Sequence, residues 1–210
     1  MLLCELDCCK LKDGYIIAHD GCEKTMYGLD KPFNLISTYE AAQLKIYNTY
    51  TPIFYADLCK FINNNDKIHI YFVIDFKEDL NDTFINHIIM HMGEHVDKII
   101  VQVYKKEDIL MAQKYNFKCL YALWKYNSNA YNETIKQNLN YIKEQNINCI
   151  GISLSNHRTE NFPEQVSSIL THGIKLYIHG ENNYEKCECY LNAKLGIFSH
   201  SPQLFSRFIV

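Results

Sequence analysis

Two carboxylates, Glu5 and Asp7, stand with a single residue between them at the end of an apolar run, and His19-Asp20 ends the next one, beyond Lys12-Asp13-Gly14. Carboxylate oxygens hold a hard divalent cation such as Mg²⁺ or Ca²⁺, and an imidazole nearby can carry a proton. Residues two apart on a strand share a face, so Glu5 and Asp7 project together. Leu2 to Asp7 and Tyr15 to His19 read as short strands joined by a turn at Asp13-Gly14, so both ends face one pocket. A third carboxylate, Asp75, closes the apolar run from Ile68, and Lys77 follows two residues later on the same face.

The elements that must position these groups alternate. Candidate helices run over Thr38 to Tyr47, Tyr55 to Asn63, Asp82 to His95, Lys106 to Tyr115, Asn132 to Gln145, Pro163 to His172 and Tyr184 to Asn192. Between them lie candidate strands at Ile68 to Asp75, Ile99 to Tyr104, Cys119 to Trp124, Cys149 to Leu154, Lys175 to Ile178 and Gly196 to Phe198. Such alternation predicts parallel βαβ units and an α/β fold of the TIM-type (β/α) barrel class. The opening strand brings the count to seven, one short of the eight that close a barrel. Glu5, Asp7 and Asp75 all sit at C-terminal strand ends, where this architecture gathers its active site. The polar stretch Gly21 to Asn34, punctuated by Gly28 and Pro32, reads as a loop over the pocket mouth.

A chain of 210 residues with 48% apolar content can bury one core, and the even scatter of apolar residues predicts a single domain over residues 1–210. A net charge of −3 without a long basic run excludes a phosphate-backbone footprint, so nucleic acid is not an expected partner. Nine cysteines, an odd number set largely within apolar runs, favour reduced thiols and a cytoplasmic setting over a disulfide framework. No secretory signal and no apolar run of membrane-spanning length is visible.

Glu5-x-Asp7, Lys12-Asp13-Gly14 and His19-Asp20 together resemble the E-x-D, K-D-G and H-D segment of the glycerophosphodiester phosphodiesterase family, among the phosphatidylinositol-phospholipase-C-like TIM barrels. Thr51-Pro52-Ile53 through Phe61, Ile74-Asp75-Phe76-Lys77 and Val101-Gln102-Val103-Tyr104 extend the resemblance along the chain. It implies metal-dependent hydrolysis of a small glycerophosphodiester or a lipid-derived phosphodiester. Glu5, Asp7 and Asp75 take the place of the metal ligands, and Lys77 that of the lysine that offsets phosphate charge. His19 corresponds to the histidine that protonates the leaving oxygen as the substrate's neighbouring hydroxyl attacks phosphorus.

The family's first strand, with its His-Arg-Gly motif, has no counterpart ahead of Glu5. The resemblance therefore implies a barrel without its first βα unit or first catalytic histidine, and a second reading stands beside the enzyme. In that reading the barrel is non-catalytic and binds a phosphorylated ligand or a partner protein. An open barrel edge also invites a second copy of the chain to cover it.

Other residues are weaker candidates. Tyr104 and Trp124 follow or end strands and could wall a substrate pocket, a position where aromatic residues equally often serve packing. His157-Arg158 with Glu160-Asn161 loosely echoes the family's opening motif, and His179 and His200 also follow strands. Ser199-His200-Ser201-Pro202 stands where the family has Thr-Asp-x-Pro, without the acidic residue. His87, His91 and His95 form a helix stripe better read as a polar face than as a zinc site, and Cys187-x-Cys189 on a helix points in two directions.

Overall fold

The computed structural model describes residues 2–65, 69–122, 131–147, 149–154 and 162–199. They fall into two compact units, one of residues 1–102 with 114–118 and the other of residues 103–113 with 119–210.

The first unit opens with β1 (Leu2–Lys10) and its antiparallel return β2 (Tyr15–Ile17), paired from Cys8↔Ile17 to Lys10↔Tyr15. On its other side β1 runs parallel to β3 (Ile70–Phe76), in register from Leu2↔Ile70 to Cys8↔Phe76. β3 in turn pairs in parallel with β4 (Ile99–Val103). The expected opening hairpin is therefore present, with β1 longer than anticipated because Cys8 to Lys10 continue into the return pairing.

From Val73 onward β3 is buried on both faces, as near-continuous apolar strands of parallel sheets are. Behind the sheet lie α3 (Tyr55–Asn63) and α4 (Asp82–Met92). Phe76 stacks on Phe84 with ring centroids 3.9 Å apart, and Tyr15, Tyr55 and His87 pack around the pair. The histidine stripe is thus not a solvated face. Burial, with the neighbouring His91, pulls the His87 imidazole down to about 4. The helix expected to reach His95 ends at Met92, because Gly93 turns to φ +53° and a 3₁₀ turn follows.

The stretch expected to be a loop is folded. It holds α1 (Glu23–Tyr27), closed by Gly28 in the left-handed region, and runs into a 3₁₀ turn at Phe33–Leu35; the expected helix from Thr38 follows as α2 (Thr38–Ala42). Ser37 and Glu40 form a reciprocal capping box at the start of α2. α2 stops five residues short of the expected Tyr47, with Gln43 as its cap, and Ile46 then pairs with Tyr50 across a tight turn in which Tyr47 and Asn48 take positive φ. Tyr27, Phe33, Ile36 and Ala41 build a small core of their own against Cys9, Leu11, Ile16 and Ala18.

The Lys12-Asp13-Gly14 motif holds this inserted layer in place. Asp13 Oδ1 accepts from Thr38 N at 2.6 Å and from Thr38 Oγ1 at 2.8 Å, and those two bonds lower its carboxyl below the ordinary value. A Cβ on Gly14 would come 2.8 Å from Thr38 Oγ1, so glycine allows the turn to lie against α2.

The second unit carries β5 (Lys118–Ala122), β6 (Cys149–Leu154), β7 (Lys175–His179) and β8 (Gly196–Phe198) as parallel neighbours in that order. α6 (Tyr131–Glu144), α7 (Phe162–Leu170) and α8 (Tyr184–Asn192) separate them in sequence, and α5 (Lys106–Lys114) precedes β5. Boundaries fall within a few residues of expectation. Among the described residues the strands with parallel partners are β1 and β3 to β8, the seven anticipated, and β2 is the antiparallel addition.

Tyr177 sits between two glycines on its flanking strands, Gly151 and Gly196, and a Cβ on Gly151 would lie 2.5 Å from its ring. Gly151→Ala should therefore destabilise the protein by about 1–3 kcal/mol through overpacking, measured by urea unfolding. Adding Tyr177→Leu should recover part of that loss, and an equal loss in the double variant would show that the ring is not the obstacle.

Candidate metal centre

Strand register brings the carboxylates together. Asp7 and Asp75 are paired positions on adjacent parallel strands, and Glu5 lies two residues back on the same face of β1. One carboxylate oxygen from each of the three lies within 4.8 Å of the others. Asp75 is buried at 2% exposure, while Glu5 and Asp7 are partly open to solvent. Like charges directly opposite on neighbouring strands repel, and burial strengthens the repulsion.

The chain places a cation among them. Lys77 Nζ stands 2.5 Å from Asp7 Oδ1 and 2.6 Å from Asp75 Oδ2. Its position follows from the ladder, since Lys77 N donates to Cys8 O at 3.0 Å and so extends the β1–β3 pairing one step past the strand. Burial disfavours its charge, but the hydrogen bonds and charges of Asp75 and Asp7 outweigh burial and hold the ammonium above the ordinary lysine range. Glu5 has no such direct contact. Burial first, then the charges of Asp7 and Asp75, push its carboxyl up to about 6, against the pull of Lys77 and of a hydrogen bond from Gln102.

Gln102 is the group that sequence reasoning left without a role. It is buried at 5% exposure on β4, where the Ile74↔Val101 register sets it beside Asp75. A glutamine inside an otherwise apolar strand, Ile99 to Val103, was the available signal, because buried amides are kept where they have a partner.

The remaining predicted residues are placed differently. His19 is exposed, and its Nδ1 lies 2.6 Å from the Asp20 carbonyl oxygen and 3.1 Å from Asp20 Oδ1. The residue before it, Ala18, donates its N–H to Asp7 O at 3.0 Å, so the return strand carries the histidine to the carboxylate end of β1. Tyr104 is half-buried directly after β4 and belongs to the second unit. Trp124, His157 and His200 lie outside the described residues. A cavity of about 520 Å³ opens elsewhere, between the Lys12-Asp13-Gly14 turn and α4, lined by Lys10, Tyr15, Thr83, His87 and Met90. No carboxylate of the cluster lines it.

The donor set fits a hard divalent cation. Three convergent carboxylates supply oxygen ligands from a rigid pair of strands, with Asp7 and Glu5 open enough to leave positions for water or substrate. Among the described residues this is the grouping of potential metal ligands that comes together.

No family model matches the sequence, and no curated protein does. Solved structures match over nearly the whole chain. A phosphodiesterase from Oleispira antarctica, in complex with the product sn-glycerol-3-phosphate, aligns with 100% of this chain and 85% of its own, at TM-score 0.75 and 16% identity. A glycerophosphodiester phosphodiesterase from Agrobacterium tumefaciens aligns with 98% of this chain and 85% of its own, at TM-score 0.73 and 12% identity. The enzyme of the same name from Thermotoga maritima covers 97% of this chain and 84% of its own, at TM-score 0.70 and 16% identity. The fold is therefore the TIM-type barrel fold of the glycerophosphodiester phosphodiesterase structures, as the motifs implied.

A carboxyl raised by folding favours the folded chain only where it is protonated. For Glu5, whose ordinary value is 4.5 and whose folded value is about 6, stability falls as pH rises across that window. With chelator present, Glu5→Gln should therefore be more stable than the parent above pH 6 and indistinguishable from it below pH 4.5. Urea unfolding at the two pH values checks this, and an unchanged difference between them would remove Glu5 from the charged cluster.

Proposed function

We propose that this chain is a metal-dependent phosphodiesterase that hydrolyses glycerophosphodiester-type or lipid-derived phosphodiesters, with residues 1–210 acting as one barrel domain. The observation that carries the reading is the meeting of Glu5, Asp7, Asp75 and Lys77 at paired strand ends, on a fold shared with glycerophosphodiester phosphodiesterases. The bound sn-glycerol-3-phosphate of the Oleispira antarctica structure supports a small phosphate ester as the ligand class.

Glu5, Asp7 and Asp75 would hold the cation. A bound Mg²⁺ or Ca²⁺ would polarise phosphoryl oxygens and lower the cost of the charge that develops on them. Lys77 contributes a point charge to the same phosphate. His19, exposed and oriented by Asp20, protonates the leaving oxygen. Asp20 keeps Nδ1 engaged, leaving Nε2 for the substrate. Tyr104 and Trp124 are the proposed aromatic walls for the alcohol portion.

Cys4, Cys8, Cys9, Cys22, Cys59, Cys119, Cys187 and Cys189 are free thiols, which supports a reducing, cytoplasmic setting. No helix among the described residues is long and apolar enough to cross a membrane. Among the described residues of the first unit, the Leu2 to Leu6 stretch of β1 is laddered to β3 only, which supports a second copy as the cover of its outer edge.

The test is hydrolysis of glycerophosphodiesters and of a chromogenic phosphodiester with Mg²⁺ or Ca²⁺, beside the same assay in chelator. Turnover should require the metal. Asp7→Asn should abolish it with the fold intact by circular dichroism, and His19→Ala should lower it by about 10²–10⁴-fold. A well-folded chain that binds sn-glycerol-3-phosphate and turns nothing over would establish the non-catalytic reading instead.

A further inference from the structure

The carboxylate cluster already holds a cation that belongs to the chain. The Lys77 ammonium contacts Asp7 Oδ1 and Asp75 Oδ2 together, on a side chain only 14% exposed. These are two of the three groups that would ligate a metal. A divalent ion drawn to Asp7 and Asp75 meets a positive charge already bonded to both, in a place where burial limits screening. The two cations cannot keep those oxygens independently.

Lys77 is also built to leave. Its backbone is held by the bond to Cys8 O just past the last residue of β3, while its head is held by the two aspartates. Losing those contacts leaves the strand ladder untouched and frees a long flexible stem that can carry the ammonium outward. Asp75, at 3% side-chain exposure, has no comparable freedom and stays where β3 puts it.

We infer that Lys77 is the resident counter-ion of the metal-free site, and that a divalent cation displaces its ammonium from Asp7 and Asp75 and releases it toward the substrate phosphate. The inference rests on the cation site proposed above and deepens it by making cation and phosphate binding interdependent. The metal frees the lysine for phosphate, and phosphate draws the lysine off the carboxylates. By linkage each ligand tightens the other by the same factor.

Two kinds of measurement test this. The first is titration with Mn²⁺, read by the electron paramagnetic resonance of the free ion, with and without inorganic phosphate. It compares the parent chain with Lys77→Met, which removes the competing charge, and with Lys77→Arg, which keeps it. Without phosphate, Lys77→Met should bind Mn²⁺ about 5- to 150-fold more tightly than the parent, the ordinary range of coupling between two ligands. Lys77→Arg should bind no more tightly than the parent, and phosphate should strengthen Mn²⁺ binding more in the parent than in Lys77→Met.

The second follows the Lys77 side-chain ammonium signal of the parent in ¹⁵N–¹H spectra during Mg²⁺ titration. It keeps the inference testable if Lys77→Met does not fold, since Lys77→Arg then serves to assign the signal. The signal should shift or broaden as the site fills. Equal or weaker Mn²⁺ binding by Lys77→Met, or a Lys77 signal unchanged at saturating Mg²⁺, overturns displacement and leaves the cation site standing. Absence of binding to the parent and to both variants overturns the cation site as well.

Discussion

Three carboxylates within 4.8 Å of one another, one of them almost wholly buried, would drive the strand ends apart if nothing neutral or positive stood among them. The bridge from Lys77 to Asp7 and Asp75 sets a positive charge between the carboxylates of β1 and β3, whose ladder runs from Leu2↔Ile70 to Cys8↔Phe76. Register in turn leaves the chain no other arrangement. A shift of one residue would turn Glu5 and Asp7 to the helix-covered face and bring Leu6 and Cys8 to the site. The electrostatic and hydrogen-bonding patterns of the first unit therefore specify the same structure.

The surrounding parts serve that geometry from a distance. On the outer face, the stacked Phe76 and Phe84 with Tyr15 and Tyr55 fix β3 against its helices, so that the alternate residues Asp75 and Lys77 point inward. Past the strand ends, the short return β2 pairs with Cys8 to Lys10 and leads through Ala18 to His19. The layer built by α1 and α2 covers Cys9, Leu11 and Ile16, apolar groups that a strand end running into solvent would leave exposed. Asp13 ties that layer to the turn with two hydrogen bonds to the first residue of α2.

The same pieces bear differently on the enzyme and binding readings. A carboxylate pocket with a mobile lysine can hold a cation and a phosphate without reacting. Chemistry requires a proton donor in reach of the leaving oxygen. His19 is carried to the right end of β1 but stays exposed and engaged with Asp20.

Much of this protein is readable in its residue order. The period-two pattern of Glu5-x-Asp7 and Asp75-x-Lys77 puts each pair on one face whatever surrounds it, because side-chain alternation is local geometry. The βα alternation was equally plain, since apolar periodicity tracks burial. Where local conformation overrode periodicity, expectation failed. Tyr47 and Asn48 carry positive φ in a tight turn inside the expected helix, and His87 sits among aromatic rings that come from elements distant in sequence. The stretch from Gly21 to Asn34 was read as a loop because the small core that Tyr27 and Phe33 join is completed by Cys9, Leu11 and Ile16, which lie outside the stretch itself. By itself, then, the sequence determined which residues share a face and which strands carry charge at their ends. Tertiary structure alone decided that Asp7 stands opposite Asp75, that Lys77 closes both and that Gln102 reaches Glu5. Those relations join three strands separated by long stretches of chain, and hydrogen-bond register between strands is set by packing the whole sheet rather than by any local run of residues.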